Sequence, residues 1–272
     1  MNRLHLCAAA VIAATGASAF GQFTISDGNS SAHFDTTSLT PGSRVGMDNW
    51  TVDGTNHMYS QWFWIRADGD TAERRLNSLN LLNSGTTDGN FDGNDDSLFL
   101  RYGGQGYTVV TRFVIQGGSA GSRVSDISEQ ITITNTSAAP RTFSFFQYAD
   151  FDLNGNIVDD SVGLVNGNAV QQTDLVNGTT VSETVFTPTF SLAEMGIYSS
   201  TLGSLDDNGL TTLNGTPVLV GIADYTWALQ WNFTLQPGQS FQISKDLQIT
   251  PAPGAAALMG MGGLAMARRR RR

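Results

Sequence analysis

The sequence predicts an all-β protein: a single two-sheet antiparallel β-sandwich of jelly-roll type. Three observations predict it. Apolar residues alternate with polar ones over long stretches, which is the period of a strand with one buried face. Thirty glycines, with frequent Asn, Asp, Ser and Thr, supply turns. Hydrophobic residues make up 40% and charged residues only 14%, enough apolar surface for one large core. Aromatics at 10% exclude a disordered chain.

The strand signal is cleanest near the C-terminus. Tyr225, Trp227, Leu229, Trp231, Phe233 and Leu235 alternate with polar or small residues. Gln236, Pro237, Gly238 and Gln239 then read as a turn, and Phe241, Ile243, Leu247 and Ile249 alternate again. This predicts a β-hairpin with one buried and one wet face, with Lys245 the one charged residue on the apolar face. A second hairpin is predicted from Ile127, Ile131 and Ile133, a turn at 135–140 and a return over 141–153. Further strands are expected at 22–26, 32–38, 48–53, 58–66, 97–102, 107–116, 162–165, 169–174, 179–187 and 218–223. Residues 74–83 fit strand or helix, and 190–196 read as a short helical turn. No repeat of fixed period and no proline-rich linker divides 20–250, so one domain is expected there.

Both ends read as addressing segments. Arg3 gives a positive start, residues 4–14 are mostly apolar, and Ala17, Ser18 and Ala19 offer the small residues a signal peptidase needs. Residues 1–19 are therefore expected to be a signal peptide cleaved before Phe20. At the other end, Pro251, Ala252 and Pro253 break regular structure. An uncharged apolar run, 255–267, follows, then Arg268, Arg269, Arg270, Arg271 and Arg272. As a helix the run is about 20 Å long, short of the roughly 30 Å hydrocarbon core. It is expected to anchor the chain transiently, with the arginines on the cytoplasmic side.

Charge excludes one class of partner. All 24 acidic residues lie between the two end segments, against nine basic ones, a mature charge of −15. Such a surface repels phosphate backbones, so nucleic acid is not an expected partner. The single cysteine, Cys7, lies in the leader, which leaves the mature chain without a disulfide or a thiol nucleophile.

The sharpest constellation of chemistry-bearing residues is 150–160. Asp150, Asp152 and Asn154 share one face of an extended segment and Gly155 permits a sharp turn. The D-x-D-x-N-G spacing matches the first half of an EF-hand-type calcium loop. The match then fails, because Ser161 stands where a bidentate carboxylate belongs; Asp159 and Asp160 are the substitutes at hand. Calcium is the one cofactor this pattern points to, with Asp150, Asp152, Asn154, Asp159 and Asp160 as its ligands and an acidic β-turn as the alternative. The acidic, glycine-rich loop 88–96 could also wrap a hard cation through oxygen ligands, but its spacing fits no standard loop and a solvated loop is the main reading. Enzyme signatures are sparse. His33 and His57 have no metal-spaced partner, and Glu73, Glu129, Glu183 and Glu194 sit in no local motif. Glu129, on an apolar strand face, reads as a buried, arginine-paired structural residue. The aromatic cluster Trp50, Tyr59, Trp62, Phe63 and Trp64 reads as core, with sugar stacking as the alternative.

The order of proline motif, apolar helix and arginine cluster over 251–272 resembles the PEP-CTERM protein-sorting signal of Gram-negative and related environmental bacteria. The family's usual Pro-Glu-Pro is Pro251, Ala252 and Pro253 here. The resemblance implies an exosortase-type processing enzyme as a partner, with the mature protein released or re-anchored at the surface. Family members often belong to bacteria that produce exopolysaccharide. The resulting expectation is an exported, non-enzymatic protein of the cell surface or extracellular matrix with a structural or interaction role. The alternatives are a carbohydrate-binding module for exopolysaccharide and, third, a glycoside hydrolase.

Overall fold

The computed structural model describes residues 21–215 and 218–252. The expected signal peptide with its cleavage residues Ala17, Ala19 and Phe20 lies outside the described residues, as do Pro253, the apolar run and Arg268 to Arg272. Among the described residues, no helix is long and apolar enough to cross a membrane.

The chain first lays down β1 (Gln22–Asp27), β2 (Ser30–Asp35), β3 (Gly46–Val52), β4 (Thr55–Asn56), β5 (Ser60–Ala67) and β6 (Arg74–Arg75). It continues through β7 (Asn80–Thr87), β8 (Ser97–Gly104), β9 (Tyr107–Gly117), β10 (Ser125–Asn135) and β11 (Arg141–Asp150). The second half holds β12 (Asp160–Val165), β13 (Ala169–Asp174), β14 (Thr180–Thr187), β15 (Leu192–Ile197), α1 (Ser200–Leu205), β16 (Val218–Gly221), β17 (Tyr225–Leu235) and β18 (Ser240–Thr250). Two antiparallel sheets result. The first has the order β1-β2-β3-β5-β11-β17-β15, with β4 on β3 and β6 on β5. The second has the order β16-β12-β13-β14-β18-β10-β9-β8-β7. The all-β sandwich is as expected, although nine strands per sheet exceed the eight in total of a jelly roll.

Both expected hairpins are corrected. β17 pairs with β11 and β15 in the first sheet, whereas β18 pairs with β10 and β14 in the second. β10 and β11 part company in the same way. The turns exist, but each carries the chain from one sheet to the other. Alternation reports that a strand has a buried face; it does not report whether the next strand lies beside it or across the core. Asn135 holds the two corners together. Its Nδ2 donates to Ala139 O and Leu235 O, and its backbone bonds Gly238 N and Gln239 O.

The wet face expected for β17 is also corrected. Residues 225–231 are buried on both faces. Segment 199–215, which includes α1, covers the outer face of the first sheet. Asp206 accepts from Trp64 Nε1 at 2.9 Å and from Arg75. Gln230 Oε1 accepts Leu213 N, and Glu73 accepts Thr211 N and pairs with Arg66. Residues 190–196, expected as a helical turn, mostly form β15, because Leu192 to Ile197 pair with the Tyr225 to Gln230 stretch of β17. Residues 74–83 divide into β6, a 3-10 turn at Leu76–Ser78 and the start of β7.

Trp50, Trp62, Phe63 and Trp64 are all buried in the core. They are not a sugar-stacking platform, and only Tyr59 of that cluster keeps a partly open ring.

Candidate functional site

Between the sheets lies a charged centre. Lys245 Nζ is 2.6 Å from Glu129 Oε2 and 3.3 Å from Glu183 Oε1, and all three side chains are fully buried. Glu129 was expected to pair with an arginine; its partner is the lysine directly opposite it in the β10–β18 register. Gln61 donates to Glu129, while Gln147 and Trp227 Nε1 donate to Glu183, each at 2.7 Å. Burial raises the Glu129 carboxyl above its usual range, against the pull of Lys245. The Lys245 ammonium also lies 5.6 Å from the centre of the Phe63 ring, and all three charged side chains are sealed from solvent.

Two other places gather polar side chains. The first is a cavity of about 690 Å³ lined by residues that include Asp53, His57, Arg123, Asn154, Asn177 and Thr179. Asp53 shapes one wall: its carboxylate accepts Gly121 N, Arg123 N and Asn29 Nδ2 at 2.6–2.8 Å. These bonds, led by the one from Gly121, hold its carboxyl below the usual range. Asp174, buried behind the lining, holds two residues that do line the cavity, accepting from Asn154 Nδ2, Asn177 N and Asn177 Nδ2 as well as from Val176 N. Burial pushes Asp174 up, but these hydrogen bonds outweigh it and hold the carboxyl low. His57 Nδ1 accepts Asn154 N at 3.1 Å, which leaves the ring proton on Nε2. Burial lowers its pKa to about 4, so the imidazole is neutral at neutral pH. Arg123 is exposed, and among the described residues its guanidinium makes no hydrogen bond or ion pair. The cavity thus presents amide, hydroxyl, imidazole and guanidinium groups together. Pro251 also lines it, directly after the end of β18.

The second place is an acidic cluster at one end of the first sheet. One carboxylate oxygen each from Asp150, Asp152 and Asp224 lie within 4.8 Å of one another. Register explains the meeting. Asp150 at the end of β11 faces Thr226 of β17, so Asp224, two residues earlier, projects to the same side as Asp150 and Asp152. Asp150 is fully buried; Tyr148 donates its hydroxyl to Oδ2 at 3.0 Å, and Oδ1 has no partner. Burial, then the charges of Asp224 and Asp152, raises the Asp150 carboxyl well above its usual range. Burial brings Asp152 to about 6. Tyr59 and Tyr198 stand beside the cluster as an edge-to-face pair with ring centres 5.6 Å apart; Tyr59 N bonds Asp150 O and Tyr198 N bonds Asp224 O.

The contiguous calcium loop expected at 150–160 is therefore not what the chain builds. Asp150 and Asp152 do meet. Asn154, in a left-handed conformation with φ 61°, turns to Asp174 and the cavity instead. Asp160 bonds Gln172 Nε2 at 2.6 Å across β12–β13, and Asp159 O accepts Leu175 N. The cause is local: β11 runs straight into a 3-10 turn at Leu153–Gly155, with Gly155 at φ +72°, and β12 begins at Asp160. The sequence reading missed Asp224, whose only signal was its place just before a strongly patterned strand. In loop 88–96, Asp88 accepts Phe91, Asp92 and Gly93 N–H groups and Asp96 accepts Gly89 and Asn90 N–H groups, so both carboxylates fold the loop itself.

No protein-family model matches the chain, and no curated protein is similar to it. Solved structures do share its fold. It is similar to a bacterial glucoamylase solved with acarbose, with a TM-score of 0.58 at 9% identity, covering 90% of this chain and 34% of that one. This chain thus spans about a third of the glucoamylase chain's length. A galactose mutarotase-like protein from Lactobacillus casei gives 0.48 at 8% identity, over 84% of this chain and all of that one. A polysaccharide lyase gives 0.47 at 12% identity, over 85% and 34%. These likenesses concern the fold alone. The expectation of a non-enzymatic protein is corrected to this extent: the fold is one that a glucoamylase chain also carries, so the all-β architecture gives no ground for it and it is not carried forward.

Proposed function

We propose that this is an exported, carbohydrate-active β-sandwich protein of the bacterial envelope or matrix, which takes a short stretch of polysaccharide into the cavity lined by Asp53, His57, Arg123 and Asn177. The carrying observation is the chemistry of that cavity. A sugar ring offers hydroxyls that both donate and accept, and the Asn177 amide, Arg123 guanidinium and neutral His57 imidazole line one opening of about 690 Å³. Pockets of a few hundred cubic ångströms with a few fixed polar groups are the usual form of small-ligand sites. The fold shared with the glucoamylase chain supports the same class of ligand.

The test is calorimetric titration of the mature domain with oligosaccharides released from bacterial exopolysaccharide and from α-glucan, with product analysis of the same mixtures. Arg123→Ala, exposed and without a side-chain bond among the described residues, should weaken binding at least tenfold without moving the melting temperature; Asn177→Ala should weaken binding as much and also lower the melting temperature, because it removes a donor to the buried Asp174. Absence of binding to every glycan, or equal binding by both variants, would overturn the reading.

Export and sorting are part of the proposal, on the PEP-CTERM-like tail and the leader alone. Deleting Arg268 to Arg272 should release unprocessed protein to the periplasm or medium. Unchanged mass and location after that deletion would count against the tail as a sorting signal.

A further inference from the structure

We propose that Asp150, Asp152 and Asp224 form a divalent-cation site of the calcium type, assembled from the end of β11 and the start of β17 rather than from one contiguous loop. This goes beyond the carbohydrate reading and does not depend on it.

The geometry fits first. The three oxygens span no more than 4.8 Å. A calcium ion holds oxygen ligands at about 2.3–2.6 Å, so oxygens on opposite sides of it stand roughly 4.6–5.2 Å apart. An ion among three oxygens no more than 4.8 Å apart lies within about 2.8 Å of each, so a shift of a few tenths of an ångström brings all three to calcium distance. Magnesium, at about 2.0–2.1 Å, would draw them closer and demand a stricter octahedron.

A second observation is independent of the clustering. Asp150 is fully buried, and its Oδ1 has no hydrogen-bond partner. A buried carboxylate oxygen left without a donor is costly, and a cation beside it removes that cost. Protein groups do not supply one. Among the described residues no lysine or arginine forms an ion pair with any of the three acids. Arg44, whose charge reaches Asp150 and Asp152, donates instead to the backbone carbonyls of Tyr59 and Asp48. Asp152 and Asp224 are only half-buried, so water can complete the coordination that three carboxylates begin.

The experiment uses the mature chain with its metal removed. Thermal melting is followed in millimolar CaCl₂, in MgCl₂ and in EDTA, and terbium is titrated with excitation of the tyrosines, since Tyr59 and Tyr198 flank the site. Calcium should raise the melting temperature more than magnesium does, and terbium emission should appear and be competed away by calcium. Asp224→Asn, at a half-buried position, should abolish both signals; Asp159→Asn should leave both intact. Asp152→Asn serves as a second variant should Asp224→Asn fold poorly. A melting temperature indifferent to calcium, or a calcium shift that survives both Asp224→Asn and Asp152→Asn, would overturn the site.

Discussion

Lys245 and Glu129 face each other across β18 and β10 with Nζ and Oε2 2.6 Å apart, both side chains sealed between the two sheets. Glu183 adds a second carboxylate at 3.3 Å, so among the described residues the lysine is the one cation paired with both buried acids. Removing one partner of a buried pair strands the other charge and costs about 3–5 kcal/mol. Lys245→Met should destabilise the domain by about that amount, read as a lower urea midpoint, because it leaves two acids without a cation. A change under about 1 kcal/mol would mean that the buried pair contributes little to stability.

This centre also marks how far the sequence is legible. Lys245 stood out as the charged residue on an apolar face, and Glu129 as a buried glutamate, yet nothing in either strand's pattern said that they pair. Strand positions were legible because the two-residue period is local. Which sheet each strand joins was not, since the turns at 135–140 and 236–239 look the same whether they close a hairpin or cross the core. The candidate metal ligands follow the same rule. Asp150 and Asp152 are neighbours in sequence and were visible; Asp224 joins them only through the β11–β17 register.

Trp231 lies on the inner face of β17, 1% exposed, with its Nε1 donating to Pro188 O at 2.9 Å and its ring against Phe145. Large-to-small replacement of a buried aromatic ring costs about 3–5 kcal/mol through lost transfer energy and the cavity left behind. Trp231→Ala should fall in that range by chemical denaturation. A loss below about 1 kcal/mol would place Trp231 outside the cooperative core.

Asp206 fastens segment 199–215 over the outer face of the first sheet. It receives Trp64 Nε1, the Arg75 guanidinium and Gly42 N. Asp206→Ala leaves the nearly buried Arg75 without its anion. The expected result is local loosening ahead of global unfolding: faster amide exchange over 199–215 and a red shift of tryptophan emission as Trp64 meets water. Exchange rates unchanged in that segment would show that apolar contacts from Leu202, Leu205 and Leu213 suffice to hold it.

Asp160 gives a pH prediction whose sign follows from its burial. Burial, with the nearby charges of Asp174, Asp152 and Asp224, raises its pKa from 3.8 to about 7, against the hydrogen bond from Gln172. The folded chain therefore keeps a proton that the unfolded chain loses, and stability falls as pH rises between those values. Asp152, raised to about 6, acts in the same direction. His57 opposes them: lowered from 6.5 to about 4, it makes the folded state lose stability as pH falls through that window. Above pH 6.5 only the acids act. Asp160→Asn keeps the size of the side chain and removes the ionisation. Its stability relative to the unmodified protein should rise from pH 4 to pH 7 and level off above, measured by urea midpoints in EDTA so that no cation intervenes. A difference that stays constant across that range would mean that Asp160 ionises alike in the folded and unfolded chains. In that case its contact with Gln172, rather than its charge, would account for any change in stability.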